Sequence, residues 1–379
     1  MRYIPAEPLL SPSLIIKSLR SRRRTTREGL RLFSYGRHAL AQYAVESGIT
    51  EGILYAPSYI CVDAVRPLER LGQTICYYPV KEDLTPDWEW LFQNAGPQSR
   101  ALLLVHYFGF PNAVDETLAF CRERQMLLIE DCAHSFLTRL GGQTIGAFGD
   151  AGFYSFRKTL PLLDGGGLVT NDIDTVSLPS EGDDTAAMPY RTLLGQLVRF
   201  GVCKTHVPSP LWRWWQKKSG PSPTDDRADV ESPPHPRPIT KFSQQIMEAL
   251  EPDFEKIISR RRENYLRLSG AFSPVPNIQL LYPELLEGVC PYLFPMLVQD
   301  RDNLARSLRS RGIPAYGWPE LPEAVSASTS SVVAVRYARD VLTLPVHQDL
   351  NPRQIDYIIE TTTETIRQTG KLSELVTSG

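Results

Sequence analysis

The chain predicts an α/β protein, with a mainly parallel central sheet followed by a smaller C-terminal α+β domain. Three observations carry this reading. Short apolar runs, too brief for helices, recur through the first 170 or so residues. Helix-like segments lie between several of them. The alternation stops at a Pro-rich stretch over 206–238, and a different pattern follows.

In chain order, the runs predict strands over Gly52–Ala56, Thr74–Tyr78, Ala101–Tyr107, Met126–Glu130, Gly152–Phe156 and Gly167–Thr170. Cys61–Leu71 and Asp115–Arg124 predict intervening helices. Strand, helix, strand repetition implies right-handed crossovers and a sheet covered on both faces. Ligands in such sheets bind beyond the carboxyl ends of the strands. Val207-Pro208-Ser209-Pro210 and Ser232-Pro233-Pro234-His235-Pro236 cannot continue a helix or a central strand. Beyond them, Ser243–Leu268 predicts one long helix with a basic patch at Arg260, Arg261 and Arg262. A strand near Tyr292–Val298 and helices at Arg301–Arg311 and Pro352–Thr369 complete the pattern. The expected division is an N-terminal arm (1–30), a large domain (31–250) and a small C-terminal domain (251–379).

At 379 residues the chain can bury a large core. Its net charge of −2 gives no global attraction to nucleic acid or to an anionic membrane. No apolar run is long enough to span a bilayer. Met1-Arg2-Tyr3-Ile4-Pro5 lacks the layout of a secretory signal. The six cysteines are scattered without close pairs, which argues against a disulfide framework and a structural zinc site. A cytoplasmic protein with reduced thiols, and without a metal, is the expectation. The seven basic residues of Lys17–Arg31 read as a solvated helix or arm rather than an anion site. Leu211-Trp212-Arg213-Trp214-Trp215 suits either a membrane interface or a subunit contact.

The chemistry concentrates in one region. Leu127-Leu128-Ile129-Glu130-Asp131-Cys132-Ala133-His134 is an apolar run ending in an acid. Tyr154-Ser155-Phe156-Arg157-Lys158 is another, ending in a hydroxyl and a lysine, and Asp164-Gly165-Gly166-Gly167 closes the unit. This order suits an aromatic, phosphorylated aldehyde cofactor, pyridoxal 5′-phosphate. Asp131 would pair with the ring nitrogen, although an Asp after a strand also caps helices. Lys158 would form the Schiff base and shuttle the proton, although most single lysines are solvated. Arg157 would help depress the lysine's pKa if both were buried. His134 would bond the phenolic oxygen, and Ser155 the phosphate. Ser34-Tyr35-Gly36-Arg37-His38 is a glycine turn opening a helix, where backbone N–H groups and Arg37 would bind phosphate.

With these residues in place, the chain resembles the DegT/StrS-type aminotransferases from about Phe33 to the C-terminal helix. The matching parts are Gly36-Arg37-His38-Ala39-Leu40, Pro57-Ser58-Tyr59, Val105-His106-Tyr107-Phe108-Gly109, Asp131-Cys132-Ala133-His134, Gly146-Ala147-Phe148-Gly149-Asp150, Asp164-Gly165-Gly166, Arg311-Gly312-Ile313-Pro314 and Leu342-Thr343-Leu344-Pro345-Val346-His347. The resemblance implies a fold-type I, aspartate aminotransferase-like enzyme and a homodimer with its active site between subunits. It implies cofactor contacts from Lys158, Asp131, His134, Ser155, Gly36, Arg37, His38 and Tyr59. It also implies amino transfer from an amino acid, plausibly glutamate, to a keto sugar, mostly nucleotide-linked in this family, or a related carbonyl compound.

The chain departs from the family in places. Only Arg157 separates Phe156 from Lys158, where the family has three residues; counting back from Asp164-Gly165-Gly166 places Lys158 on the Schiff-base position. Cys61 replaces the aromatic that stacks on the ring, leaving Tyr59 as a candidate. Tyr316-Gly317-Trp318-Pro319-Glu320-Leu321-Pro322 lacks both histidines of the family's substrate loop, so an atypical substrate is expected. Two other readings are a same-fold enzyme with different chemistry, such as a sugar dehydratase, and a catalytically degenerate binding or regulatory homologue. Dehydratases of this fold lose the lysine, so Lys158 argues against the first.

Overall fold

A computed structural model describes residues 3–20, 29–171, 190–205 and 237–377. The first of its elements are α1 (Pro12–Arg20), β1 (Leu30–Phe33), α2 (Gly36–Glu46), β2 (Ile53–Pro57), α3 (Val62–Arg70), β3 (Thr74–Tyr78), α4 (Trp88–Asn94), β4 (Ser99–Val105), α5 (Val114–Arg124) and β5 (Leu127–Asp131). A small hairpin, β6 (Arg139–Leu140) and β7 (Gln143–Thr144), precedes β8 (Ala151–Tyr154) and β9 (Gly166–Thr170). These strands, the hairpin aside, form a seven-stranded sheet in the order β1-β9-β8-β5-β4-β2-β3.

The expected parallel core is present. Strands β3, β2, β4, β5 and β8 run parallel. The far side differs, because β9 is antiparallel to both β8 and β1. Strand β1 is an addition to the expectation: four residues after a basic run carry little strand signal, and pairing with β9 supplies the missing order. The centre is dry, with Ala101, Leu102, Leu103 and Leu104 of β4 and Leu128 and Ile129 of β5 fully buried. Each such leucine or isoleucine contributes roughly 1.5–3 kcal/mol.

The rest of the chain comprises α6 (Tyr190–Thr205), α7 (Lys241–Leu250), α8 (Phe254–Phe272), β10 (Ile278–Leu280), β11 (Leu293–Val298), α9 (Arg301–Ser310), α10 (Glu323–Ser326), α11 (Val332–Asp340), β12 (Val341–Pro345) and α12 (Pro352–Thr377). The second sheet is antiparallel, in the order β10-β11-β12. The single helix expected over Ser243–Leu268 is two helices joined by a short 3-10 turn, Glu251–Asp253. Pro252 explains the break, since it lacks the N–H that a continuous helix needs there. Residues 206–236, with Trp212–Trp215, lie outside the described residues.

The chain's first residues pack on the C-terminal part. Ile4 N–H donates to the Gly312 carbonyl (3.0 Å) and Leu9 N–H to Asp349 (2.6 Å). In the basic run, Lys17 pairs with Asp253 at 2.6 Å, while Arg31 is buried against Glu46, also at 2.6 Å. Among the described residues, no helix is long and apolar enough to cross a membrane.

Candidate active site

The carboxyl ends of β5 and β8 open onto a cavity of about 520 Å³, lined by the N-terminus of α2, the β8–β9 connection and residues at the ends of β11 and β12. Each wall has a local cause.

Strand β5 ends in two acids. Successive strand residues point to opposite faces, so Glu130 and Asp131 diverge. Glu130 accepts N–H bonds from Phe148 and Gly149 (both 2.8 Å) and from Gly146 (3.0 Å). It also lies 3.0 Å from His106 Nε2. Asn112 N–H donates to His106 Nδ1, so the ring proton sits on Nε2 and bonds the carboxylate. Burial pushes the Glu130 carboxyl up, but His106 and the backbone donors outweigh it and hold the group below its usual range.

Asp131 faces the cavity. The only hydrogen bond to its carboxylate within the described residues runs from Ala133 N–H to Oδ1 (2.9 Å). Burial raises its pKa, against the pull of the Lys158 charge and the Ala133 N–H. A buried carboxylate with a vacant oxygen and a raised pKa is suited to a cationic partner in the cavity.

His134 follows on the turn after β5. Phe108 N–H donates to its Nδ1 at 3.3 Å. Burial, aided by the Lys158 charge, holds its pKa well below the usual value, so the ring is neutral. Nδ1 accepts, so Nε2 is a donor suited to an anionic oxygen. Tyr292 stacks on this ring at 4.8 Å between centroids, and Trp318 meets it edge-on at 4.9 Å. Tyr292 reaches that position because Gly109 lets another segment approach. A Cβ on Gly109, whose φ is +102°, would lie 2.4 Å from the Cys290 carbonyl oxygen.

Lys158 ends a 3-10 turn, Phe156–Lys158, directly after β8. The turn is closed by Phe156 N–H donating to the Gly165 carbonyl (3.0 Å), and Gly165 N–H donates to Ser34 (2.6 Å). Asp164 accepts from Thr240 Oγ1 (2.7 Å) and Thr240 N–H (2.9 Å) at the start of α7. The Asp-Gly-Gly motif thus ties the lysine turn both to β1 and to the helix that follows the Pro-rich stretch.

The fourth wall is the start of α2. Tyr35 is its N-cap, its side chain makes no capping bond, and Tyr35, Gly36 and Arg37 line the cavity, which puts the positive end of the helix dipole at the wall. Gly36 is needed there, since a Cβ would lie 2.7 Å from the Tyr154 carbonyl oxygen. The Arg37 and Arg157 guanidiniums lie over the Tyr35 ring at 4.5 and 5.4 Å. Ser155 also lines the cavity.

The structure therefore brings Lys158, Asp131, His134, Ser155, Gly36 and Arg37 to one cavity. His38 and Tyr59 do not line it. His38 Nδ1 is 2.9 Å from Ser34 Oγ, and the Tyr59 hydroxyl donates to the Trp318 carbonyl at 2.6 Å. Ile60 and Cys61 line the wall near Tyr59, and the cavity's other aromatics include Tyr292, Tyr316 and Trp318. Sequence reasoning missed Tyr292 and the N-terminal Ala6 and Glu7, which also line the cavity. No local motif marks them.

The donor set suits pyridoxal phosphate on this geometry. There is a lysine, a buried acid with a vacant oxygen, a neutral histidine presenting a donor, and a helix start flanked by two arginines. Comparisons with known proteins agree. Residues 43–178 match the sequence profile of the DegT/DnrJ/EryC1/StrS aminotransferase family. The chain is 27% identical over 281 residues to dTDP-4-dehydro-2,3,6-trideoxy-D-glucose 4-aminotransferase of Saccharopolyspora spinosa, spanning 72% of this chain and 67% of that protein. Its fold resembles a putative sugar aminotransferase from Streptococcus pneumoniae, with a TM-score of 0.72 at 16% identity, covering 98% of this chain and all (100%) of that one. It also resembles the aminotransferase TlmJ from Streptoalloteichus hindustanus, with a TM-score of 0.67 at 21% identity, covering 90% and 87% of the two chains. The profile match over residues 43–178 takes in both the acid ending β5 and the lysine turn after β8, which line the cavity, so this stretch of the chain is similar to the DegT/DnrJ/EryC1/StrS aminotransferase family.

Proposed function

We propose that this protein is a pyridoxal phosphate-dependent aminotransferase that moves an amino group from an amino acid, glutamate, to a nucleotide-linked keto sugar. The observation that carries the reading is the convergence of Lys158, Asp131 and neutral His134 on one cavity. The relative from Saccharopolyspora spinosa, named for amino transfer to a dTDP-linked sugar, supports the substrate class.

When bound, pyridoxal phosphate supplies an aldehyde that bonds amines and a ring that draws electrons from the reacting carbon. Asp131 would hold its carboxylate against the ring nitrogen, which keeps that nitrogen protonated. His134 Nε2 would donate to the phenolic oxygen. The first turn of α2, with Arg37 and Ser155, would bind the phosphate. Lys158 Nζ would anchor the cofactor and move a proton on and off the reacting carbon in both half-reactions. Tyr316, the exposed aromatic of the lining, would contact the acceptor, with Trp318 behind it against His134. A cytoplasmic homodimer is part of this proposal.

The test is the visible spectrum of the purified protein with added pyridoxal phosphate, before and after borohydride. A band fixed by borohydride in the wild type and missing in Lys158→Ala supports the reading. A wild type without such a band sinks it.

A further inference from the structure

The mechanism leaves one buried charge unused. Arg261, on α8, is fully buried. Its flanking arginines are not. Arg260 pairs at the surface with Glu263, and Arg262 donates to the Leu286 and Val289 carbonyls. Desolvating a guanidinium is costly, and the usual compensation is a carboxylate. Arg261 bonds none among the described residues. Its Nε donates to Gln348 Oε1 (2.9 Å), its Nη1 to the carbonyls of Pro291 (3.1 Å) and Tyr292 (3.2 Å), and its Nη2 to the carbonyl of Thr159 (3.0 Å). Gln348 Nε2 donates to the same Thr159 carbonyl at 3.1 Å.

The pattern is one of placement rather than charge pairing. A planar fork holds its donors in fixed directions, which an ammonium cannot do. Here the fork reaches three segments that meet only in the folded chain. One is Thr159, the residue directly after Lys158. Another is the Pro291–Tyr292 strand entry, whose tyrosine stacks on His134. The last is Gln348, beyond β12. Two donors converging on the Thr159 carbonyl fix the plane of the Thr159–Leu160 peptide, one residue beyond Lys158, and so limit how far the lysine turn can swing. A catalytic side chain must be held within about 0.5 Å of its working position.

We propose that Arg261, with Gln348, is a positioning clamp that aims Lys158 into the cavity and ties its turn to the cavity wall at Tyr292. In its catalytic meaning this rests on Lys158 being the cofactor lysine.

The test begins on cofactor-free protein, so that it does not depend on that reading. Trace acetylation with acetic anhydride, read by peptide mass spectrometry, gives the labelling rate of Lys158 relative to exposed Lys81. Gln348→Ala and Arg261→Lys are expected to raise that ratio at least threefold, because a loosened turn lets Lys158 leave the cavity. Arg261→Lys keeps the charge and loses the fork, so its failure to restore the wild-type ratio separates geometry from charge. Pyridoxal phosphate is then added, and Gln348→Ala is expected to form the borohydride-fixable band at least tenfold more slowly. Lower melting temperatures with an unchanged labelling ratio would make Arg261 merely structural and overturn the proposal. If labelling responds as expected but the wild type forms no band, the clamp stands and the aminotransferase reading alone falls.

Discussion

Glu130 and Asp131 are neighbours on β5, both buried, yet the two faces of the sheet treat them in opposite ways. On the closed face, Glu130 meets three backbone donors and a histidine, and is held ionised. On the cavity face, Asp131 meets one backbone donor, and burial pushes its pKa up. The difference separates two uses of a buried acid. A saturated carboxylate holds loops together. An unsaturated one keeps a vacancy for a ligand, at the expense of the cofactor-free fold.

Lys158→Ala, on the cavity face, should have the largest effect. Amino transfer should fall by about 10³-fold or more, since the proton shuttle is lost. Single-turnover kinetics would show it, and a far-ultraviolet spectrum like wild type would place the effect on that face alone. Glu130→Gln comes next and should invert the pattern. Glutamine loses the charge and turns an NH2 donor toward N–H groups that the carboxylate satisfied, and each lost hydrogen bond to a charged group costs roughly 1.5–3 kcal/mol. Urea unfolding would measure this, and a loss below about 1 kcal/mol would break the comparison.

Asp131→Asn should lower kcat by about 10²–10³-fold, the range for losing one fixed electrostatic contact. Without cofactor, however, it should melt no lower than wild type at pH 7. The sign follows from linkage. A carboxyl with a raised folded pKa contributes stability below its unfolded value, and that is lost as pH rises through the folded value. Asparagine avoids the loss. A clearly lower melting temperature for the cofactor-free variant would contradict this account.

Acid unfolding should sharpen the contrast further. Glu130 has a depressed folded pKa, so its contribution is present above the unfolded value of about 4.3 and disappears as pH falls through the lower folded one. Glu130→Gln should remove that part of the acid limb in a pH series of urea midpoints, and Asp131→Asn should leave it in place. The smallest effect belongs to the mouth. Tyr316→Ala should raise the acceptor KM by several-fold with little change in kcat, as expected for a contact made equally in ground and transition states.

Much of the seven-stranded sheet was legible in the sequence because its signals are local. The apolar runs of β3, β4 and β5 announce themselves, and Asp131 and Lys158 follow strand ends as the sheet rule expects. The cavity wall supplied by the C-terminal part of the chain was less legible. Arg260, Arg261 and Arg262 read as one basic patch, but a helix turns about 100° per residue, so three adjacent arginines face three environments. Only the packing of β11 and the turn after β12 against α8 makes the middle one a buried fork. Tyr59, the sequence's candidate for ring stacking, is fully buried instead, with its hydroxyl on the Trp318 carbonyl.

By itself, the sequence determined the alternation of elements, the acid and the lysine at strand ends, and the glycines at close approaches. These depend on residues adjacent in the chain, where hydrophobic period and steric size act directly. The tertiary structure alone decided which acid is saturated and which is left facing the cavity, which arginine is buried, and which aromatics lie against His134. Each of those outcomes depends on partners far away in sequence, such as Glu130 with His106 and Arg261 with Thr159, that share no local pattern. Their energies arise only when folding excludes water from both at once.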